Sequence, residues 1–225
     1  MSDRLKALDL FCGAGGASMG LHRAGFDVYG VDIKYQRNYP FWFLTGNALD
    51  VDLSGFDLIW ASPPCQKFSA ITPADKKADH PDLIPAIRER LKMTGALTVI
   101  ENVPQAPLRP DLILTGRMFD LALIRRRHFE LNFPAVAPGR LSSHYGLLKS
   151  NIVEGVYGSG EGRNIIPRWS KAMGIDWMTR RELAQAIPPA YAHWIGATVE
   201  RLIRSPDVPL GNFPLLHLAK GKMAL

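Results

Sequence analysis

A short apolar run, Ala7-Leu8-Asp9-Leu10-Phe11, passes directly into Cys12-Gly13-Ala14-Gly15-Gly16, and this junction constrains the fold more than any other stretch of the chain. The run reads as a short buried strand, and the glycines admit a tight turn. Ala17 to Ala24 has helical character, with Gly25 as its stop. A second strand, Asp27-Val28-Tyr29-Gly30-Val31, ends at Asp32, about 20 residues beyond the turn. Strand, glycine turn, helix, strand, carboxylate is the opening of a doubly wound fold. There the backbone approaches a ligand closely and the carboxylate hydrogen-bonds a ribose. A third element ends in Gly46-Asn47-Ala48, where Asn47 is placed to read an adenine edge. The glycine turn lacks the Gly-Lys-Ser/Thr ending that cradles a triphosphate, so a nucleoside ligand without a phosphate chain fits better than ATP.

A second loop carries a thiol. The apolar strand Phe56-Asp57-Leu58-Ile59-Trp60-Ala61 runs out into Pro63-Pro64-Cys65-Gln66, followed by Lys67-Phe68-Ser69. Each proline fixes its own φ and restricts the residue before it, so the cysteine is mounted stiffly at a sheet edge. A mounted cysteine is placed to attack; a proline-rich turn around a core cysteine is the other reading this stretch admits.

Taken in order, Phe11-Cys12-Gly13-Ala14-Gly15-Gly16, Asp32, Pro63-Pro64-Cys65-Gln66, Glu101-Asn102-Val103 and Arg125-Arg126-Arg127 resemble the motifs of the DNA cytosine-5 methyltransferases, over roughly residues 7 to 203. The resemblance implies an α/β, Rossmann-like S-adenosylmethionine-dependent methyltransferase fold, with a central, mostly parallel sheet and a small irregular target-recognition insert. It implies methyl transfer from S-adenosyl-L-methionine, leaving S-adenosyl-L-homocysteine, to carbon 5 of a flipped-out cytosine in DNA. Carbon 5 is a poor nucleophile. A thiolate adding to carbon 6 activates it, which is covalent catalysis by division of a hard step. Cys65 matches that thiol, in a site that is electropositive or delivers it to the ring at close range. Glu101 matches the group that relieves charge at N3, a role that needs a raised pKa.

Arg125 and Arg127 match the arginines beside the cytosine O2 and the catalytic carboxylate. In an extended strand over Leu123 to Leu131 they share one side, with Arg126 on the other. On the cofactor side the resemblance assigns Phe11, Gly13, Gly15, Asp32, Ile33, Asn47, Ala48, Pro63 and Gln185. On the substrate side it assigns Pro64, Gln66, Ser69 and Asn102, and it implies no metal. The chain departs from the family pattern at Leu123, Asp32, Asn47, Ile33 and Ala184-Gln185, where glutamine, glutamate, aspartate, a larger aromatic and Gly-Asn are common.

Composition adds weight without deciding the matter. The 225 residues suffice for one core and a small appendage, and a net charge of +6 favours a polyanionic partner, here DNA. Two cysteines in separate motifs suggest neither a disulfide framework nor a zinc cluster. No signal peptide or membrane span is legible, which makes an intracellular compartment, bacterial or phage, the default. The expected layout is a catalytic domain over 1–133, a reduced insert over 134–171, a completing segment over 172–204 and an irregular tail over 205–225. An insert that short cannot support a large core of its own. It implies short sequence specificity or a partner protein that supplies it. The stretch from Ala70 to Asp82 is a candidate lid. An RNA cytosine-5 methyltransferase and a catalytically silent DNA-binding relative are the rival readings. A dehydrogenase is weaker, because Gly-Ala-Gly-Gly is not the dinucleotide fingerprint.

Overall fold

The central strands are apolar on both faces. In β1 (Lys6–Leu10), Ala7 packs into one hydrophobic cluster while Leu8 and Leu10 pack into another. Strands buried on both faces are stable only where helices cover both sides of a sheet. The computed structural model, which describes residues 3–139, 154–158 and 164–205, shows that arrangement. After β1 come β2 (Asp27–Asp32), β3 (Trp42–Thr45), β4 (Leu58–Ala61), β5 (Leu97–Asn102), β6 (Leu112–Leu114) and β7 (Arg127–Leu131). The helices are α1 (Gly16–Arg23), α2 (Ile84–Lys92), α3 (Ile165–Met173), α4 (Arg180–Gln185) and α5 (Pro189–Arg204).

All seven strands join one sheet in the order β3-β2-β1-β4-β5-β7-β6. The pairs from β3 to β5 are parallel, and β7 runs antiparallel to both β5 and β6. α1 and α5 cover one face, where Leu21, Tyr191 and Ile195 meet Trp60 and Phe129. α2 covers the other, setting Ile87 and Leu91 against Leu10 and Ile59. A smaller cluster of Leu123, Val156, Trp169, Met173 and Leu183 holds α3 and α4 together.

α1 and α5 cross at close range because both are notched by glycine. A Cβ at Gly20 would stand 2.7 Å from that of Ala192, and one at Gly196 would stand 2.9 Å from that of Ala24. The close fit seats α5 over the helix that follows the glycine turn.

Several expected boundaries move. β5 runs through Glu101 and Asn102, so the strand itself carries both. β7 begins only at Arg127, and Leu123 makes an isolated bridge to Glu154 instead. Arg125 and Arg127 therefore do not alternate along one strand, and the argument that placed them side by side fails. β6 was not read from the sequence. The candidate lid carries a short exposed 3-10 helix, Ala74–Asp79. α3 begins at Ile165, so a boundary at 171 falls inside a helix. Much of the expected insert, 140–153 and 159–163, lies outside the described residues, as does the tail from 206. Among the described residues no helix is long and apolar enough to cross a membrane.

The α1–α5 crossing leaves no room for a methyl group. Gly20→Ala is expected to lower the free energy of unfolding in urea by about 1–3 kcal/mol. Gly95→Ala, whose Cβ would meet nothing within 4 Å, is expected to leave the midpoint unchanged.

Candidate active site

In an open α/β sheet, ligands bind outside the carboxyl ends of the strands where the winding reverses. Here the reversal lies between β1 and β4, and the loops leaving those two strands are the glycine turn and the Pro63-Pro64-Cys65 loop. The two motifs read from the sequence therefore flank one crevice.

The thiol loop is anchored from three sides. The Asn102 side-chain amide donates to the Pro63 carbonyl at 3.0 Å, and its oxygen accepts from the Val103 N–H at 2.9 Å. Both ends of Asn102, expected beside the base, are thus used inside the protein, where the residue is buried. The Cys65 carbonyl accepts from the Phe68 and Ser69 N–H groups, closing a turn. Cys65 and Phe68 pack on Ile84, Val103 and Ala106. Gln66 follows with its side-chain oxygen buried and without a hydrogen-bond partner. Pro64 and Ser69 lie on the same half-buried loop.

Glu101 reaches the crevice from β5 and is buried. The Arg127 Nε lies 3.0 Å from its Oε1, an ion pair whose angle falls short of a hydrogen bond. Burial pushes the Glu101 carboxyl above its usual range, against the pull of Arg127, Ser62 and Arg125. Burial also pushes the Cys65 thiol up, Glu101 adds to that rise, and the two arginines oppose it.

Arg125 is placed differently from Arg127. It is buried, its Nη1 donates to the Val156 carbonyl and its Nη2 donates to the Ala184 carbonyl at 2.8 Å. Its own carbonyl accepts from the Tyr191 hydroxyl at 2.7 Å.

On the other side of the crevice, Asp32 accepts from the Gly13 N–H and the Lys34 N–H, both at 3.0 Å, and so pins the glycine turn to the end of β2. Phe11 holds a left-handed φ of 61°, and Gly13 one of 50°. A bulky side chain in that region is strained, and such strain clusters at ligand sites. A Cβ at Gly13 would meet nothing within 4 Å, so open space lies above this backbone. Ile33 and Tyr35 are exposed apolar side chains just past Asp32. Asn47 caps its own turn, donating to Asp50 and accepting from Leu49, with buried Ala48 beside it. Gln185 is exposed at the end of α4. The segment around it covers the glycine turn: Trp177 donates to the Ala14 carbonyl at 2.9 Å, and a Cβ at Gly16 would stand 3.1 Å from the Ile187 nitrogen. Among the described residues no group of three or more His, Cys, Asp or Glu could hold a metal ion.

This sheet order with its reversed β7, and a crevice at its switch point, define a Rossmann-like methyltransferase fold. The sequence profile described as C-5 cytosine-specific DNA methylase matches residues 5–108. Type II methyltransferase M.HgiGI of Herpetosiphon aurantiacus is 32% identical over 119 residues, which take in 46% of this chain and 94% of that protein. The chain belongs to the C-5 cytosine-specific DNA methylase family. Type II methyltransferase M.HgiDI of the same organism is also 32% identical over 119 residues, but the match spans only 38% of its length. Beyond residue 108 the likeness is one of fold. The Entamoeba histolytica methyltransferase EhMeth superposes with a TM-score of 0.60 over 90% of this chain and 100% of its own, at 12% identity. Cys65 and Glu101 fall inside the profile match, whereas Arg125, Arg127 and Gln185 lie past it.

Sequence reasoning missed a buried network behind the glycine turn. The Ser18 hydroxyl hydrogen-bonds Asp9 Oδ2 and lies 2.9 Å from the Tyr39 hydroxyl. Asp9 Oδ1 is buried without a partner, and burial pushes this carboxyl up to about 7. The one available signal was a carboxylate inside an otherwise apolar strand. Because the folded-state pKa is raised, Asp9 contributes stability that is full below its ordinary 3.8 and is lost as pH rises towards about 7. Asp9→Asn cannot ionise, so the thermal midpoint of this variant relative to the wild type is expected to climb between about pH 4 and 7. A difference that stays flat across that window would show that Asp9 does not ionise there.

Proposed function

We propose that the protein methylates carbon 5 of cytosine in DNA through a covalent adduct between Cys65 and carbon 6 of an extruded base. The observation that carries this reading is the convergence of Cys65, buried Glu101 and Arg127 at one end of β4, β5 and β7. The Cys65 sulfur bonds to carbon 6 as the thiol proton leaves. Glu101, whose carboxyl burial raises above its usual range, donates a proton or a hydrogen bond to N3 and so relieves the electron density that the addition pushes into the ring. Arg127 steadies Glu101 and is placed to meet the cytosine O2. Carbon 5, made nucleophilic by the addition, takes the methyl group; loss of the carbon 5 proton to a water molecule, return of any proton on N3 to Glu101 and departure of the Cys65 sulfur from carbon 6 then restore the aromatic ring. Gln66 presents its unpartnered oxygen on the substrate side, beside Pro64 and Ser69.

The crevice over the glycine turn fits S-adenosylmethionine. Open space above Gly13 admits the methionine portion, and Asp32 retains lone pairs for the ribose hydroxyls. Ile33, together with Tyr35, offers apolar surface to the adenine. Phe11, Gly15, Asn47, Ala48, Pro63 and Gln185 complete this side of the proposal. When bound, the cofactor supplies the electrophilic methyl group.

Residues 1–133 and the chain from α3 to 204 would form the catalytic unit. The short stretch between them would read few flanking bases, about two, or leave that reading to a partner protein. The net charge of +6 suits DNA as substrate. Labelled S-adenosylmethionine with unmodified DNA should yield 5-methylcytosine by nucleoside mass spectrometry. Label in RNA alone, or in neither, would overturn the reading. Base-resolution mapping showing four or more defined bases would reject short specificity. Cys65→Ala is expected to abolish transfer and keep cofactor binding. Glu101→Gln is expected to slow transfer by about 10²–10⁴-fold.

A further inference from the structure

Arg125 is a buried cation at 4% exposure, and none of the described carboxylates forms an ion pair with it. A guanidinium desolvated to that extent is costly unless its N–H groups find acceptors. Two backbone carbonyls supply acceptors for Nη1 and Nη2, leaving Nε buried without a partner, and they come from distant parts of the chain. Val156 lies beside the bridge from Glu154 to Leu123, and Ala184 lies in α4 next to Gln185. Tyr191, from α5, fixes the Arg125 backbone from behind. Two residues further on, β7 opens with Arg127, the partner of Glu101.

The carbonyl at Ala184 belongs to the cover of the glycine turn. That cover touches the turn through Trp177 to Ala14 and through the packing of Ala186 and Ile187 on Gly16, and it is held to the segment between β2 and β3 by Asn38, which donates to both carboxylate oxygens of Glu182. One guanidinium therefore ties this cover to the backbone that leads into the catalytic strand. Both of its terminal nitrogens are engaged by carbonyls, whereas Arg127 is held in an ion pair with Glu101.

We propose that Arg125 is a positioning residue and not a contact to the base: its fork clamps Val156 and Ala184, and so joins the cover of the glycine turn to the strand that carries Arg127. The inference rests on reading that turn as the cofactor site. Lysine has one nitrogen where arginine has a fork, so it can hold only one carbonyl well.

Amide hydrogen exchange on the full-length protein without ligand tests the clamp independently of any activity. Arg125→Met is expected to speed exchange across residues 177–187, and Arg127→Met to leave it unchanged. Arg125→Lys should fall between wild type and methionine. Calorimetry with S-adenosylhomocysteine should show affinity weakened roughly tenfold or more in Arg125→Met, and nearly unchanged in Arg127→Met. Wild-type exchange over 177–187 in Arg125→Met would overturn the clamp. So would unchanged product affinity combined with a loss confined to adduct formation on 5-fluorocytosine DNA. If Arg125→Met does not fold, Tyr191→Phe serves, because it frees the Arg125 carbonyl without removing the charge. Faster exchange at 177–187 in that variant supports the clamp, and no change overturns it. Failure of the wild type to bind S-adenosylhomocysteine would remove the cofactor reading, while the exchange result would still judge the clamp.

Discussion

The site depends on keeping one carboxyl group dry beside one guanidinium. Glu101 sits near the end of β5, and burial alone would make an ionised carboxylate there very unfavourable. Arg127 offsets that penalty from 3.0 Å. The reversed direction of β7 makes the pairing available, because an antiparallel strand brings its first residue to the last residues of its neighbour: His128 pairs with Asn102, and Phe129 with Glu101. A parallel strand in the same position would bring its far end there instead. Attraction in such a pair does not fully repay the desolvation of both ions. The balance raises the Glu101 carboxyl above its usual range in spite of the arginine.

Glu101 and Cys65 are linked by the same charge. An ionised Glu101 makes a thiolate at Cys65 harder to form, and a protonated Glu101 removes that obstacle while the two arginines still act. In the proposed mechanism the acid form of the carboxyl would serve both partners, donating towards the ring and easing loss of the thiol proton. Two titrating groups this close share their protons as a pair rather than as two independent sites.

Much of this was legible because punctuation residues mark it. The glycines after Phe11, the prolines before Cys65 and the carboxylate at Asp32 each carry a backbone or charge requirement that shows in one dimension. Edge elements were harder to see. β6 is three residues long, and an arginine-rich approach read as strand turned out to begin pairing only at Arg127. The hydrogen bonds of Arg125 were hidden from the sequence for a specific reason. Its partners are main-chain carbonyls at Val156 and Ala184, and a carbonyl has no signature in a sequence. Asn102 was read as facing substrate for the same reason, since its acceptor is the carbonyl of Pro63. Asp9 was visible but ambiguous, and only the fold showed Ser18 and Tyr39 converging on it.

The crossing of α1 with α5 also has a consequence for how the chain is made. α1 follows the first strand, and α5 is the last helix described, so the two are separated by most of the polypeptide. During synthesis, Leu21 and Phe26 emerge long before Ile195 and Val199 exist to cover them. Contacts this distant in sequence delay the decisive closure and leave apolar surface open to wrong partners meanwhile. The face of α1 behind the glycine turn therefore stays uncovered until α5 has left the ribosome, and a chain cut before α5 would lack the support for that helix.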